Sequence, residues 1–289
     1  MSSNPEAPKN GSKDQRAFGF VGRFRYPERI VCLSGESADI CNRLGAGSRV
    51  VAVSAFASRS MRAGRTIVGG FSTLNMADLL SIEPDLVITF SDVQAQISAD
   101  LIRNHCTVLA TNQRSLRGII QAILLIGRAI GCAAEAEKLA SDFDRELRNF
   151  GRNEPPRPRV YFEEWDEPLI TGIGWVSEAI YLLGGEDVFF RPDAKGSKER
   201  IVEAAAVCRA DPQIIFVSWC GKPVDLVKIA DRPGWHSITA IRDKNIYSID
   251  SADILQPGPG ILAGVSQMAG IIERWRRQAS SVSWFTGRR

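Results

Sequence analysis

The chain reads as an α/β protein of two Rossmann-like lobes with parallel-rich sheets, joined by one long rigid helix. Three observations predict this. The same signal occurs twice: Glu83-Pro84-Asp85-Leu86-Val87-Ile88-Thr89-Phe90 and Asp211-Pro212-Gln213-Ile214-Ile215-Phe216-Val217-Ser218-Trp219 each combine an acid–proline helix stop, a buried strand and an aromatic at the strand's end. Each follows a helix rich in Ala and Leu, and each half carries a glycine-closed turn upstream, Leu44-Gly45-Ala46-Gly47 and Leu183-Gly184-Gly185-Glu186. Second, strand-length apolar runs alternate with helical patterns, which calls for a mostly parallel sheet covered on both faces. Third, Ala136, Leu139, Phe143, Leu147 and Phe150 recur at three- or four-residue steps, the period of a helix with one buried face. A cleft between two such lobes is where ligands usually sit.

Residues 1–25 form a polar tail rich in Pro, Ser, Asn and Lys; it is either disordered or wraps a lobe through Phe18, Phe20 and Phe24. The first lobe, 26–131, opens with a strand at 30–33. Ser34-Gly35-Glu36-Ser37 then turns into a helix over 38–44, with Ser37 or Ser34 as the N-cap. A strand at 50–53, a helix at 74–81 stopped by Pro84, a strand at 86–90, a helix at 94–104, a strand at 107–109 and a helix from 115 to about 130 complete it. The connector, 132–152, holds a helix at 133–150, roughly 27 Å long at 1.5 Å per residue and therefore a strut. It ends at Gly151, and Glu154-Pro155-Pro156-Arg157-Pro158 cannot continue it. The second lobe, 153–289, is expected to place strands at 159–162, 214–218 and 245–249. Its helices are expected at 177–183, 201–209 and 224–230, with a loop at 163–175 and a closing helix at 261–277 after Gly258-Pro259-Gly260.

The 289 residues suffice for one large or two ordinary α/β domains, each big enough for its own core. The net charge of +3 comes from scattered arginines, including Arg274, Arg276, Arg277, Arg288 and Arg289, and not from a basic stripe, which argues against nucleic acid as a partner. No run approaches the roughly 18 apolar residues of a membrane span, and the most apolar helix is interrupted by Gln121, Gly127 and Arg128. No membrane insertion is expected. The N-terminus lacks the apolar core of a secretory signal, which predicts a cytoplasmic protein, or a periplasmic one if a signal sequence is missing from the chain as given. The six cysteines, Cys32, Cys41, Cys106, Cys132, Cys208 and Cys220, contain no C-x-x-C; they read as small buried hydrophobes in a reducing compartment, without a metal site. Nucleophile-elbow, Walker and dinucleotide-binding motifs are missing, so no catalytic residue is assigned.

Taken together, the pattern resembles the class III substrate-binding proteins that serve ABC importers of vitamin B12, haem and ferric siderophores, over roughly residues 29–277. The resemblance is carried by Arg29-Ile30-Val31-Cys32-Leu33-Ser34, residues 79–89, Asp231-Arg232-Pro233-Gly234-Trp235 and Gln256-Pro257-Gly258-Pro259-Gly260. Glu163-Glu164-Trp165-Asp166-Glu167-Pro168-Leu169, with Gly172 and Trp175, is most similar to cobalamin-binding members. The resemblance implies a non-enzymatic protein that requires no cofactor and takes cobalamin, a related corrinoid or a similar metal chelate as its small-molecule ligand, between lobes that move little. It implies ligand contacts from Gly35, Glu36, Phe56, Phe71 and Phe90 on the first lobe and from Glu163, Trp165, Trp175 and Trp219 on the second. A flat macrocycle needs apolar faces and a few polar anchors, and each aromatic supplies on the order of 1 kcal/mol. A core role is the alternative for each phenylalanine.

The acids Glu163, Glu164, Asp166 and Glu167 read either as a solvated loop, one member of which bonds ligand amides, or as a cation-binding or proton-sharing cluster. Ser34-Gly35-Glu36-Ser37 reads as a cap or as an anion cradle, and His105 and His236 belong to no ligand constellation. Transport members of the resembled family carry one exposed glutamate per lobe, seven residues before the proline of the repeat, to dock on the permease. Here those positions are Ala77 and Ala205. Asp78 and Glu203 are one and two residues away, about 100 and 200 degrees around a helix, which argues against equivalent docking to an ABC permease. The expected function is a cytoplasmic carrier, store or sensor. Alternatives are a periplasmic component of a cobalamin or ferric-siderophore importer, a cofactor-processing enzyme using Glu163, Glu164 or Asp166, and an interaction protein with an empty cleft.

Overall fold

In the first lobe, short apolar runs become strands wherever the next segment can turn back as a covering helix. The computed structural model describes residues 26–152 and 154–286, with side chains through residue 280. The tail at 1–25, with Phe18, Phe20 and Phe24, lies outside the described residues, as do Arg288 and Arg289. The first lobe runs β1 (Ile30–Cys32), α1 (Gly35–Arg43), β2 (Val50–Ser54), α2 (Arg59–Arg62), β3 (Thr66–Gly69), α3 (Met76–Ser81), β4 (Leu86–Phe90), α4 (Ala95–Arg103), β5 (Val108–Thr111) and α5 (Leu116–Ala129). Its five strands are all parallel, in the order β3-β2-β1-β4-β5. The chain winds outward from β1 on one side and from β4 on the other, so a crevice opens at the carboxyl ends of these two strands. In open α/β sheets that reversal point is where ligands bind.

The helix α6 (Ala133–Phe150) follows, at the bounds its period predicts. The second lobe then runs β6 (Arg159–Asp166), β7 (Leu169–Thr171), α7 (Gly174–Leu182), β8 (Glu186–Asp187), α8 (Ala204–Ala210), β9 (Ile214–Val217), α9 (Leu226–Ala230), α10 (Thr239–Arg242), β10 (Ile246–Ser248), α11 (Ser251–Ile254) and α12 (Leu262–Thr286). Strands β10, β9, β6 and β8 are parallel, while β7 turns back antiparallel on the carboxyl half of β6, pairing Asp166 with Leu169. The loop expected at 163–175 is therefore mostly a hairpin followed by the start of α7. Several boundaries move for identifiable reasons. Helix α1 starts at Gly35 because Ser34 is the extended N-cap residue, φ −140° and ψ 155°. Helix α3 starts at Met76 because the Asn75 side chain accepts the Asp78 N–H at 3.2 Å. Ser115 caps α5 through the Gly118 N–H at 2.9 Å.

The doubled sequence signal is a doubled turn. Glu83 and Asp211 both stand before proline in the left-handed region, φ 51° and 41°. The residue after each proline then receives the backbone N–H at the start of its lobe's first strand: Asp85 from Arg29 and Gln213 from Arg159, both at 2.9 Å. The same two arginines return their guanidinium groups to the helix stop, Arg29 to the Ile82 and Glu83 carbonyls and Arg159 to the Asp211 carbonyl. Each repeat thus ties a helix end to two adjacent strands with charge-assisted bonds.

The largest apolar core is shared between the lobes. The principal apolar cluster runs from Ile30, Val53 and Ile88 through Ile123, Ile126 and Phe143 to Val176, Phe216 and Ile272, so it crosses both lobes by way of α5, α6, α7 and α12. Helices α5 and α6 lie so close that a Cβ at Gly127 would stand 2.2 Å from that of Ala136. Two smaller clusters fill the far face of the first sheet and the Tyr161–Trp235 side of the second. The cysteines are corrected: only Cys32 and Cys41 are buried, and Cys220 is exposed. No helix among the described residues is long and apolar enough to cross a membrane.

Candidate functional site

The carboxyl ends of β1, β4 and β6 face one cavity of about 340 Å³. Its first-lobe wall is a run of three rings. Phe56 and Phe71 meet edge to face with centroids 6.4 Å apart, and Phe71 and Phe90 lie 6.3 Å apart at 55°. The opposite wall is Trp165, Ile170, Ile173 and Trp175 from the second lobe. Trp175 is 2% exposed and donates its indole N–H to the Ile254 carbonyl at 2.9 Å, so its ring is fixed. The Trp165 indole donates to the Glu167 carbonyl at 3.1 Å, and Lys222 Nζ sits 5.3 Å from its ring centroid.

Buried polar bonds hold the wall in place. Gln94, fully buried, accepts the Phe90 N–H at 2.9 Å and donates to the carbonyls of Leu33, at 2.9 Å, and Phe71, at 2.8 Å. One side chain thus joins the segments that follow β1, β3 and β4. Gly35 lies where a Cβ would collide with Gln256 and with the Phe56 carbonyl oxygen, 2.7 Å away. Gln256 itself donates to that carbonyl at 2.9 Å, bringing the segment before α12 against the first lobe.

Of the residues expected to contact a ligand, Gly35, Glu36, Phe56, Phe71, Phe90, Trp165 and Trp175 line this cavity. Glu163 and Trp219 do not. Glu163 is fully buried behind the wall, where it accepts two bonds from Arg232 at 2.5 and 2.9 Å, one from the Trp219 indole at 3.2 Å and one from the Tyr161 hydroxyl at 3.2 Å. Its oxygens are saturated by the protein, and Trp219 is turned toward it. Trp219 instead borders a neighbouring groove with Lys222, whose Nζ lies 4.9 Å from its ring.

The acids also fail as an acid/base pair, because each has its own cation. Glu164 is held bidentately by Arg200 at 2.5 and 3.0 Å, and Asp166 by Lys222 at 2.6 Å. Neither a solvated loop nor a shared proton describes Glu163, Glu164 and Asp166; Glu167 alone is exposed. Sequence reasoning missed Arg114, Arg200, Cys220 and Gln256 in the lining. Arg114 could have been found, since it lies in the short connection between an expected strand at 107–109 and an expected helix from 115. Arg200 had no local signal, because what fixes it is distant: Glu164 and the Thr171 carbonyl.

Electrostatically the cavity is nearly self-neutralised. Arg114 pairs with Asp92 and lies 5.8 Å from the Phe90 ring centroid, and Arg200 pairs with Glu164. Glu36 is different. It is 4% exposed, its Oε1 has no hydrogen-bond partner among the described residues, and burial pushes its pKa to about 7.

Residues 30–252 match the family model described as periplasmic binding protein. The cobalamin-binding protein of Halobacterium salinarum is 27% identical over 254 residues, covering 84% of this chain and 69% of that protein. Among solved structures, the periplasmic vitamin B12-binding protein of Vibrio cholerae superposes with a TM-score of 0.69 at 23% identity, over 86% of this chain and 98% of that one. A periplasmic haem-binding protein of Pseudomonas aeruginosa gives a TM-score of 0.74 at 17% identity, over 85% and 92%. At these identities the two structures establish the shared two-lobed fold.

Proposed function

The chain belongs to the periplasmic binding protein family, and from that premise we propose that it holds a corrinoid, or a related flat metal chelate, between its lobes without transforming it. The observation that carries this reading is the meeting of two aromatic walls from separate lobes: Phe56, Phe71 and Phe90 opposite Trp165 and Trp175. Flat apolar faces with a few polar anchors suit a macrocycle edge. The similarity to a protein named for cobalamin binding favours a corrinoid over other chelates. The cavity volume lies at the lower end of the roughly 300–1,000 Å³ typical of ligand pockets, so the ring edge enters and the remainder projects through the open mouth. The chelate is cargo; the protein needs no resident cofactor for this role.

A core shared by both lobes favours a site that changes little on loading. Ala77 and Ala205 are exposed on α3 and α8, and the nearby Asp78 is engaged by the Asn75 side chain at 2.7 Å. These surfaces fit a carrier, store or sensor that works without a permease. Titration of the purified protein with cobalamin, cobinamide, haem and a ferric siderophore tests the ligand assignment: saturable binding of the corrinoids is expected, and binding of none would sink it. Recovery of the protein together with a permease would overturn the carrier role.

A further inference from the structure

We propose that Glu36 sets ligand specificity by seating an uncharged primary amide of the bound ring and rejecting a carboxylate at the same place. The assignment rests on the corrinoid reading above and refines it. Its basis is an imbalance on the cavity wall. Every other ionised group there has a partner in the protein, Asp92 with Arg114 and Glu164 with Arg200. Glu36 keeps an unpartnered Oε1 in a wall from which water is largely excluded, 4% exposed, and a buried acceptor left without a partner costs about 1–3 kcal/mol. A ligand that completes this bond is favoured for doing so.

No charged partner is packed around Glu36; Ser34 and the Glu36 backbone N–H are the groups that favour its ionised form, and Oε1 keeps no bond. On its own helix the next charge, Asp39, is taken by Arg43 at 2.8 Å. Beneath it on β1 the thiol of Cys32 is buried and its pKa raised, chiefly by the hydrogen bond with Cys41, so it is neutral. The segment Leu255, Gln256, Pro257 and Gly258 carries no charge, and a Cβ at Gly258 would stand 2.8 Å from that of Glu36. Cys220, also in the lining, is an uncharged-type side chain that offers no cation to Glu36.

The chemistry of the free side chain then discriminates among ring substituents. A primary amide presents an N–H donor and a carbonyl acceptor on neighbouring atoms. An ionised carboxylate accepts that N–H; a protonated carboxyl accepts it and also donates to the carbonyl. An amide is therefore matched on both sides of pH 7. A carboxylate substituent is matched only while Glu36 carries its proton, because above that point two anions share a dry wall. Rings with amide arms should bind almost independently of pH, and rings with carboxylate arms should lose affinity as pH rises.

The experiment titrates the full chain at pH 6 and pH 8 with cobinamide, which carries amide arms, and with cobyrinic acid, the same ring with carboxylate arms. Wild type should bind cobinamide with less than about a threefold change and lose roughly tenfold in affinity for cobyrinic acid, as a group near pH 7 loses its proton. Glu36→Gln should make cobyrinic acid binding insensitive to pH and narrow the ratio between the two rings at pH 8. A wild-type cobyrinic acid profile that is flat overturns the proposal without any variant, as does a Glu36→Gln protein whose ratio between the rings at pH 8 is unchanged. If neither ring binds wild type, the corrinoid reading falls and takes this one with it; if both bind and the ratio ignores Glu36, only the specificity role falls.

Discussion

A carboxyl that burial keeps protonated weakens the fold once the solvent removes its proton. For Glu36 the folded pKa of about 7 lies above the ordinary 4.5, so the native state holds the proton more tightly than the unfolded chain. The stabilising contribution is full below about pH 4.5 and is lost as pH rises through about 7. A shift of that size corresponds to about 3 kcal/mol. Urea denaturation should therefore find Glu36→Gln no more stable than wild type at pH 4 and about 3 kcal/mol more stable at pH 8; an equal difference at both pH values would contradict the burial account. At this scale the sequence was legible where the family resemblance reached. Glu36, Phe90 and Trp165 were expected on the cleft from that resemblance, and they line it. Glu163 was misplaced because its partner, Arg232, is 69 residues away and no local pattern announces a buried pair.

Among the elements, Gln94 has a reach out of proportion to its size. Replacing it by leucine would leave the Phe90 N–H and the Leu33 and Phe71 carbonyls without partners inside the first-lobe wall. Gln94→Leu should lose about 3 kcal/mol or more, measured by chemical denaturation, and should weaken ligand binding because Phe71 and Phe90 lose their common support. An unchanged stability would mean that the three segments hold themselves. The elements that sequence reasoning recovered have strong periods, above all α6 and the two repeat strands. Strand β3 escaped because Thr66 and Ile67 are exposed at a sheet edge, so the run shows neither alternation nor a continuous apolar stretch. Strand β7 escaped because its pairing with β6 depends on a turn at Glu167 and Pro168 inside what looked like a polar loop.

Across the whole molecule, the doubled acid–proline–strand signal made the two lobes legible, and even their matching arginine ties follow the same ruler. The shared core did not show in the sequence, because amphipathic faces reveal that a helix is buried but not which lobe buries it. That core makes a thermodynamic prediction. Far-ultraviolet circular dichroism and tryptophan fluorescence should report one coincident unfolding transition, whereas two separated transitions would mean independent lobes and a more mobile cleft. The central claim, that Phe56, Phe71 and Phe90 face Trp165 and Trp175 in order to hold a corrinoid, is tested most directly by anomalous diffraction at the cobalt edge from crystals grown with cobinamide. One cobalt peak between the two aromatic walls is the predicted result; a peak on the outer surface, or none in crystals grown at saturating ligand, would contradict it.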